Sequence, residues 1–247
     1  MDGRTSFASI DPADVARFHA LGEDWWDPAG SMAPLHAINP LRIGWLRDTM
    51  TRRFGRDPSA PLPLSGLTLL DVGCGAGLLS EPLSRLGAHV TGIDPAEGAI
   101  AVARGHALET GASVVYRTGS VEELSDEGLQ FDGVLAMEVV EHARDAPAFL
   151  ARACSLVRPG GLFAASTLNR TIKSFVLAIV GAEYVLGWLP KGTHHWEQFI
   201  TPAELVASLR AAGLREYART GVVFDPLQRD WRLSRDTAVN YMIAARR

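Results

Sequence analysis

The stretch MEVVEH, residues 137–142, concentrates side chains that can do acid–base or metal chemistry. Glu138, Glu141 and His142 stand three and four positions apart, so on one helical turn their side chains share a face. The imidazole can act as a general base, and all three groups together can bind a divalent cation. The same spacing also fits solvated acids at a helix start, with His142 as a cap. The spacing alone leaves these interpretations open.

The elements that position this cluster are strands alternating with helices. FDGVLAM (131–137), directly before it, is a continuous apolar run, and similar runs recur along the chain with helix-like stretches between them. This alternation predicts an α/β, Rossmann-like fold with a mostly parallel seven-stranded sheet and helices on both faces. The strands are expected near residues 67–72, 88–94, 113–118, 131–137, 160–167, 214–224 and 237–245.

The first 57 residues lack strands and look helical. Asn39 followed by Pro40 predicts a helix start, and Gly55 predicts the end of that helix. We therefore expect an N-terminal helical cap over residues 1–57 and one α/β domain over residues 58–247.

Composition restricts the class of protein. The 247 residues are 47% hydrophobic and 21% charged, as in globular proteins, and the net charge of −4 gives no reason to expect nucleic-acid binding. Two cysteines are too few for a disulfide framework and fit a reducing compartment. Neither a presequence nor an uncharged apolar run of membrane-spanning length is recognisable, so we expect a cytoplasmic protein.

A glycine-rich turn after the first strand indicates where a ligand would bind. In doubly wound sheets, ligands lie beyond the carboxyl ends of the strands. Gly73, Gly75 and Gly77 in DVGCGAG allow a sharp turn that brings backbone N–H groups close to a ligand at a helix N-terminus. Asp94 ends the second strand, where a carboxylate can accept hydrogen bonds from ribose hydroxyls. Together these features favour a nucleoside-containing cofactor over a packing turn.

The glycine spacing separates two kinds of cofactor. A dinucleotide site has G-x-G-x-x-G, but position 78 holds Leu78. The observed G-x-G-x-G, preceded by Asp71, resembles motif I of the S-adenosylmethionine-dependent methyltransferases, and GSVEEL (119–124) continues the likeness. The resemblance implies a class I methyltransferase fold, S-adenosyl-L-methionine as the cofactor, and Ser120 and Val121 beside the adenine.

Further segments narrow this resemblance. From about Phe18 to Met242 the chain resembles the ubiquinone-biosynthesis O-methyltransferase family, which methylates phenolic hydroxyls of polyprenylated ring intermediates at two steps of the pathway. The segments that carry the likeness are FHALGEDWWDPAGSMAPLHAINPLRIGWL, MEVVEH, STLNRTIKSF, GAEYVLGWLPKGTH and VNYM.

The resemblance assigns roles to individual residues. It implies that Arg42, Gly73, Asp94 and Met137 contact S-adenosyl-L-methionine, with Gly75 in the same loop. It also supports a divalent metal, expected to be Mg²⁺, at the three acid–base residues of MEVVEH.

The expected substrate explains why that cluster is needed. A phenol has a pKa of about 10 and is a poor nucleophile at neutral pH, so the enzyme needs a general base or a metal that stabilises the phenolate. His142 alone fits the first role, and Glu138, Glu141 and His142 together fit the second. Both remain open, and all three residues are candidate catalytic groups.

A hydrophobic insertion at about 169–195 indicates contact with the substrate or with a membrane. It is too interrupted to span a bilayer, and it could be a lid over the substrate ring, a contact with anionic membrane at the inner face of the cell, or both. The alternatives for the whole chain are a methyltransferase for another substrate class, or a cofactor-binding scaffold in a lipid-biosynthetic assembly.

Overall fold

The computed structural model describes residues 15–16, 19, 21–175, 196–225, 227–228 and 230–247. Within these residues, eight strands form one sheet. They are β1 (Thr68–Val72), β2 (His89–Asp94), β3 (Val114–Thr118), β4 (Phe131–Met137), β5 (Val157–Leu168), β6 (Arg215–Asp225), β7 (Asp230–Ser234) and β8 (Asn240–Arg246).

The order of the strands in the sheet is β3-β2-β1-β4-β5-β8-β6-β7. Strands β1 to β5 pair in parallel, whereas the pairs β5–β8, β8–β6 and β6–β7 are antiparallel. The prediction of a mostly parallel α/β sheet is confirmed. The chain moves outward from β1 to β3 and then returns to β4, so the switch point lies between β1 and β4, where ligands bind in such sheets.

The sheet has one strand more than the seven predicted from the sequence. The additional strand is β7, whose sequence DWRLS alternates charged residues with Trp231 and Leu233. It pairs only with β6 and lies at the edge of the sheet. An edge strand of this kind has no continuous apolar run, so the pattern that marks buried strands does not detect it.

Seven helices and three short 3₁₀ turns surround the sheet in the described part of the chain. The helices are α1 (Ala33–Phe54), α2 (Ser80–Arg85), α3 (Glu97–Thr110), α4 (Val121–Asp126), α5 (Ala146–Ser155), α6 (Ile172–Ser174) and α7 (Pro202–Ala211). The 3₁₀ turns are Gly22–Trp26, Val140–His142 and Trp196–Gln198.

Helix α1 begins earlier than the sequence predicts. It starts at Ala33, so the expected start at Asn39 and Pro40 is wrong, although Gly55 ends the helix as predicted, with φ of 65°. A proline inside a helix costs about 3 kcal/mol or more, because it removes a hydrogen bond and crowds the preceding turn. Pro40 is exposed, and the helix continues through it because the opposite face is packed on the sheet.

Helices cover both faces of the sheet. Residues of β4 alternate between two buried clusters, as successive side chains of a strand must. Leu135 packs with Leu46 and Met50 of α1, whereas Val134 packs with Phe149 of α5. Helix α1 therefore shares a core with the α/β domain, and the predicted boundary between residues 57 and 58 stays a prediction.

None of the helices in the described part of the chain is long and apolar enough to cross a bilayer.

Candidate functional site

The glycine loop, residues 73–77, joins β1 to α2 at the switch point. Gly73 and Gly75 have φ of 65° and 52°, in the left-handed region that favours glycine. A Cβ atom on Gly73 would lie 2.6 Å from the side chain of Val139, so the loop approaches the end of β4 closely. The predicted turn is thus present, and it lies between β2 and β4.

Two buried carboxylates hold the glycine loop. Asp94 accepts hydrogen bonds from the backbone N–H of Gly75 at 3.0 Å and of Ala96 at 2.8 Å, and burial raises its pKa to about 6. Asp71 accepts a hydrogen bond from the Ser80 hydroxyl at 2.6 Å, and burial raises its pKa to about 7. The loop is therefore fixed by acids at the ends of β1 and β2.

Cys74 lies inside the loop and could be mistaken for a nucleophile. Its side chain is buried, and burial together with the nearby carboxylates of Asp94 and Asp71 raises the pKa of the thiol well above its usual value. A thiol in this state is not a nucleophile at neutral pH.

Two tryptophans cover the loop. A Cβ atom on Gly75 would lie 2.6 Å from the ring of Trp25. Trp26 donates a hydrogen bond from Nε1 to the carbonyl of Ala76 at 3.1 Å and stacks on His106 with ring centroids 3.5 Å apart. His106 in turn contacts the buried carboxylate of Glu81 at 2.7 Å. The turn Gly22–Trp26 therefore lies over the glycine loop.

The acid–base cluster differs from its predicted form. Glu138 has φ of 57° and precedes the 3₁₀ turn Val140–His142 that carries Glu141 and His142. The expectation that all three residues share one helical turn is wrong. A positive φ is unfavourable for a residue with a Cβ atom and persists only when surrounding contacts enforce it.

Those contacts come from distant parts of the chain. Oε1 of Glu138 accepts hydrogen bonds from Arg42 at 2.5 Å, from Ser166 at 2.8 Å and from Asn240 at 3.0 Å. The backbone N–H of Glu138 also donates to the carbonyl of Ser166 at 3.0 Å. The carboxylate is thus held by α1, β5 and β8 together.

Glu141 is a buried acid with a raised pKa. Its side chain is buried; Oε2 accepts a hydrogen bond from Thr167 at 2.8 Å, and Oε1 has no hydrogen-bond partner. Burial raises its pKa to about 7, and the neighbouring Glu138 adds to the rise, while His142 opposes it. A buried carboxyl with a pKa near neutrality can both accept and return a proton.

We call this side of the crevice the acidic wall: Glu138, Glu141 and His142 with Ser166, Thr167 and Asn240. The last three residues were not recognised as site residues from the sequence. Asn240 lies in VNYM, and Ser166 and Thr167 begin STLNRTIKSF. Both segments carry the resemblance, but the resemblance assigned no role to these three residues.

The acidic wall does not have the form of the predicted metal site. Among the residues that the structure describes, no group of three or more His, Cys, Asp or Glu side chains is arranged to hold a metal ion. At Glu138, Oε1 already receives three donors, one of them a cation. The side chains as placed do not fit a divalent cation.

The remaining predicted cofactor residues lie around the same crevice. Ser120 caps α4 by accepting a hydrogen bond from the N–H of Glu123, and Val121 packs in the core. Met137 ends β4 and is half-buried against the cluster that includes Leu135. Their contacts with a cofactor stay predictions.

Comparison with known proteins identifies the family. The profile of a family described as a methyltransferase domain matches residues 44–218, more than half of the chain. A ubiquinone biosynthesis O-methyltransferase of Methylobacterium nodulans is 60% identical over 98% of this chain and 98% of the relative. One of Azorhizobium caulinodans is 58% identical, over 98% of this chain and 96% of the relative.

This chain belongs to the ubiquinone biosynthesis O-methyltransferase family. The resemblance found in the sequence is confirmed, and the chain is an O-methyltransferase. A more distant relative from Sinorhizobium fredii is still 50% identical over 98% of both chains. Because these matches extend over nearly the full length, they include α1 and the segment around β6 to β8.

Solved structures of methyltransferases share the fold of this family member. The magnesium protoporphyrin IX methyltransferase of Synechocystis PCC 6803, solved with bound SAH, has a TM-score of 0.61 at 23% identity and covers 95% of this chain and 94% of its own. The 1,6-didemethyltoxoflavin-N1-methyltransferase of Burkholderia thailandensis has a TM-score of 0.57 at 23% identity and covers 95% of this chain and 88% of its own. The predicted Rossmann-like methyltransferase fold is confirmed.

Proposed function

We propose that this chain transfers a methyl group from S-adenosyl-L-methionine to phenolic hydroxyls of polyprenylated ring intermediates, at both O-methylation steps of ubiquinone biosynthesis. The observation that carries the proposal is its near full-length similarity, at 50% to 60% identity, to relatives named for this pathway. The alternatives are a methyltransferase for another substrate class and a cofactor-binding scaffold.

The glycine loop supports the cofactor part of the proposal. When bound, S-adenosyl-L-methionine supplies an electrophilic methyl group on a sulfonium. Asp94 would accept hydrogen bonds from the ribose hydroxyls. Each of its carboxylate oxygens can accept a further hydrogen bond beside the one from Gly75 or Ala96. Trp25 lies over the loop and would exclude water from the bound cofactor.

The acidic wall supports the acid–base part. A phenol with a pKa of about 10 must lose its proton as its oxygen attacks a methyl carbon. Glu141 suits the role of base because its pKa is raised to about 7 and its Oε1 has no partner. The phenolic proton would pass to Oε1, the oxygen would form the bond to the methyl carbon, and the thioether sulfur would keep the electron pair of the broken bond. His142, the base expected from the sequence, is the alternative acceptor.

A divalent metal at Glu138, Glu141 and His142, expected to be Mg²⁺, is a separate part of the proposal. The resemblance favours it, whereas the present arrangement of Glu138 does not. No step above depends on it. Activity that survives exhaustive removal of metal would exclude it, and activity that is lost and then restored by Mg²⁺ would support it.

A methyl-transfer assay tests the reaction itself. Short-tailed catechol and phenol analogues with labelled S-adenosyl-L-methionine should give O-methylated products. A Glu127→Gln variant provides a control, because Glu127 is an exposed acid paired with Arg117 outside the crevice. Cofactor binding without any methyl transfer to such rings would favour the scaffold alternative.

The membrane part of the proposal concerns the insertion at about 169–195. Residues 176–195 lie outside the described residues. The described start of the insertion exposes Ile172 by 81% and Phe175 by 44%, which supports contact with an apolar phase. We expect the chain to co-sediment with anionic vesicles, and a variant lacking 170–191 not to. Equal sedimentation of both would exclude this segment as the contact.

A cytoplasmic location, an assembly with other enzymes of the pathway and the absence of nucleic-acid binding stay predictions.

A further inference from the structure

Arg42 is the only buried cationic side chain among the residues that the structure describes. Helix α1 places it at the crevice. One turn earlier, Asn39 donates a hydrogen bond to the carbonyl of Leu78, just after the glycine loop, at 3.5 Å. Arg42 itself donates to Glu138 from Nη2 at 2.5 Å, and Glu138 adjoins Val139, which touches the loop. Arg42 therefore lies between the glycine loop and the acidic wall.

The other buried charges around this crevice are acids. Asp71 and Asp94 hold the loop, and Glu141 belongs to the acidic wall. Arg42 also keeps an unused donor, because its Nε is buried and has no hydrogen-bond partner. A buried N–H without a partner costs roughly 1–3 kcal/mol, so the site gains from a ligand that accepts a bond there.

The cofactor of the proposed function carries an amino-acid end with both charges. Its ammonium group can pair with the acids of the crevice, but its carboxylate needs a cation in a site where most buried charges are negative. Arg42 is the group that can provide one. It is, however, already paired with Glu138.

We propose that the cofactor carboxylate displaces Glu138 from Arg42, so that cofactor binding releases the Glu138 carboxylate toward the phenol. Ser166 and Asn240 still bind Glu138 after the exchange, which keeps it in the acidic wall. This inference rests on the proposed function. It couples the two halves of the site, because Glu138 gives up its ion pair with Arg42 only when the cofactor is bound.

The affinity for the demethylated product S-adenosylhomocysteine tests the exchange without any turnover. In Glu138→Gln the competitor of the ligand carboxylate loses its charge, while the side chain keeps its size and can still accept from Ser166 and Asn240. We expect this variant to bind S-adenosylhomocysteine about tenfold more tightly than the wild type, the size of one charge-assisted contact.

Two controls separate exchange from a general loss of negative charge. Glu141→Gln removes an equal charge three residues away, from a side chain that bonds Thr167 rather than Arg42. At pH 8, above the raised pKa of Glu141, it should leave the affinity within about twofold of the wild type, since it removes no direct competitor. 5′-Methylthioadenosine lacks the amino-acid end, so its affinity should not change in Glu138→Gln.

The outcomes are distinct. The exchange would be overturned if Glu138→Gln and Glu141→Gln bound S-adenosylhomocysteine with equally increased affinity. It would also be overturned if Glu138→Gln bound S-adenosylhomocysteine and 5′-methylthioadenosine with equally increased affinity. Either result would leave the proposed function intact. A crystal structure with S-adenosylhomocysteine in which Arg42 Nη2 and Glu138 Oε1 stay within about 3.5 Å would overturn it as well. A wild type that does not bind S-adenosylhomocysteine at all would overturn the proposed function and this inference together.

Discussion

The glycine loop and the acidic wall face each other across one crevice but are held in different ways. The loop depends on contacts between residues close in sequence, such as Asp71 with Ser80, 9 positions apart, and Asp94 with Gly75, 19 apart. Glu138 of the acidic wall instead bonds Arg42 and Asn240, 96 and 102 positions away. The acids that hold the loop bond to residues nearby in sequence, and Trp25 and Trp26 only cover it, whereas Glu138 of the wall depends on the assembled sheet and on α1.

The largest expected effect concerns the wall. Glu141→Gln should lower kcat for phenol methylation by about 100-fold or more, within the range of general base catalysis. In the wild type only the ionised carboxylate accepts the proton, so activity should fall as the pH drops below about 7, the pKa of Glu141. His142→Ala should lower kcat by a smaller factor. The pH–rate profile and single-turnover rates check this.

An opposite result would reassign the base. If Glu141→Gln keeps its activity and the acidic limb of the pH profile, and His142→Ala is inactive, His142 is the base. Thermal unfolding of both variants controls for damage to the fold.

The difference between the two regions also decides what the sequence can predict. A glycine loop after a strand, and an acid ending the next strand, are local patterns, so Gly73, Gly75 and Asp94 were predicted together. The positive φ of Glu138 is imposed by Arg42 and Asn240, which no local pattern connects to it.

The fold shows the same limit. Strand β4, which was predicted from a continuous apolar run, is buried in the sheet. Edge strand β7 was missed because its residues alternate in polarity. The start of α1 was missed because the helix continues through Pro40, stabilised by its packing against the sheet. Local pattern thus predicts elements whose own sequence dictates them and fails where tertiary contacts decide.

A smaller effect is expected on the loop side. Asp94→Ala removes the carboxylate that would bind the ribose and that now accepts from Gly75 and Ala96. We expect affinity for S-adenosylhomocysteine to fall at least about tenfold, since one hydrogen bond to a charged group is worth roughly 1.5–3 kcal/mol. Calorimetric titration measures it. Asp94→Asn serves as the control, because it keeps the shape of the side chain. If the affinity of Asp94→Ala were unchanged, Asp94 would not be the residue that binds the ribose.

The smallest effects distinguish a loop glycine from an ordinary one. Gly75 has φ of 52° and no room for a Cβ atom beside Trp25, so Gly75→Ala should lower the free energy of unfolding by about 1–3 kcal/mol and weaken cofactor binding. Gly105 lies within α3, with nothing within 4 Å of its Cβ position. Gly105→Ala should therefore stabilise the chain by about 0.5–1 kcal/mol, since alanine is the better helix former. Chemical denaturation of the two variants beside the wild type gives both values. If Gly75→Ala were as stable as Gly105→Ala, neither the positive φ of Gly75 nor its close packing would constrain the loop, and the contrast with the acidic wall would fail.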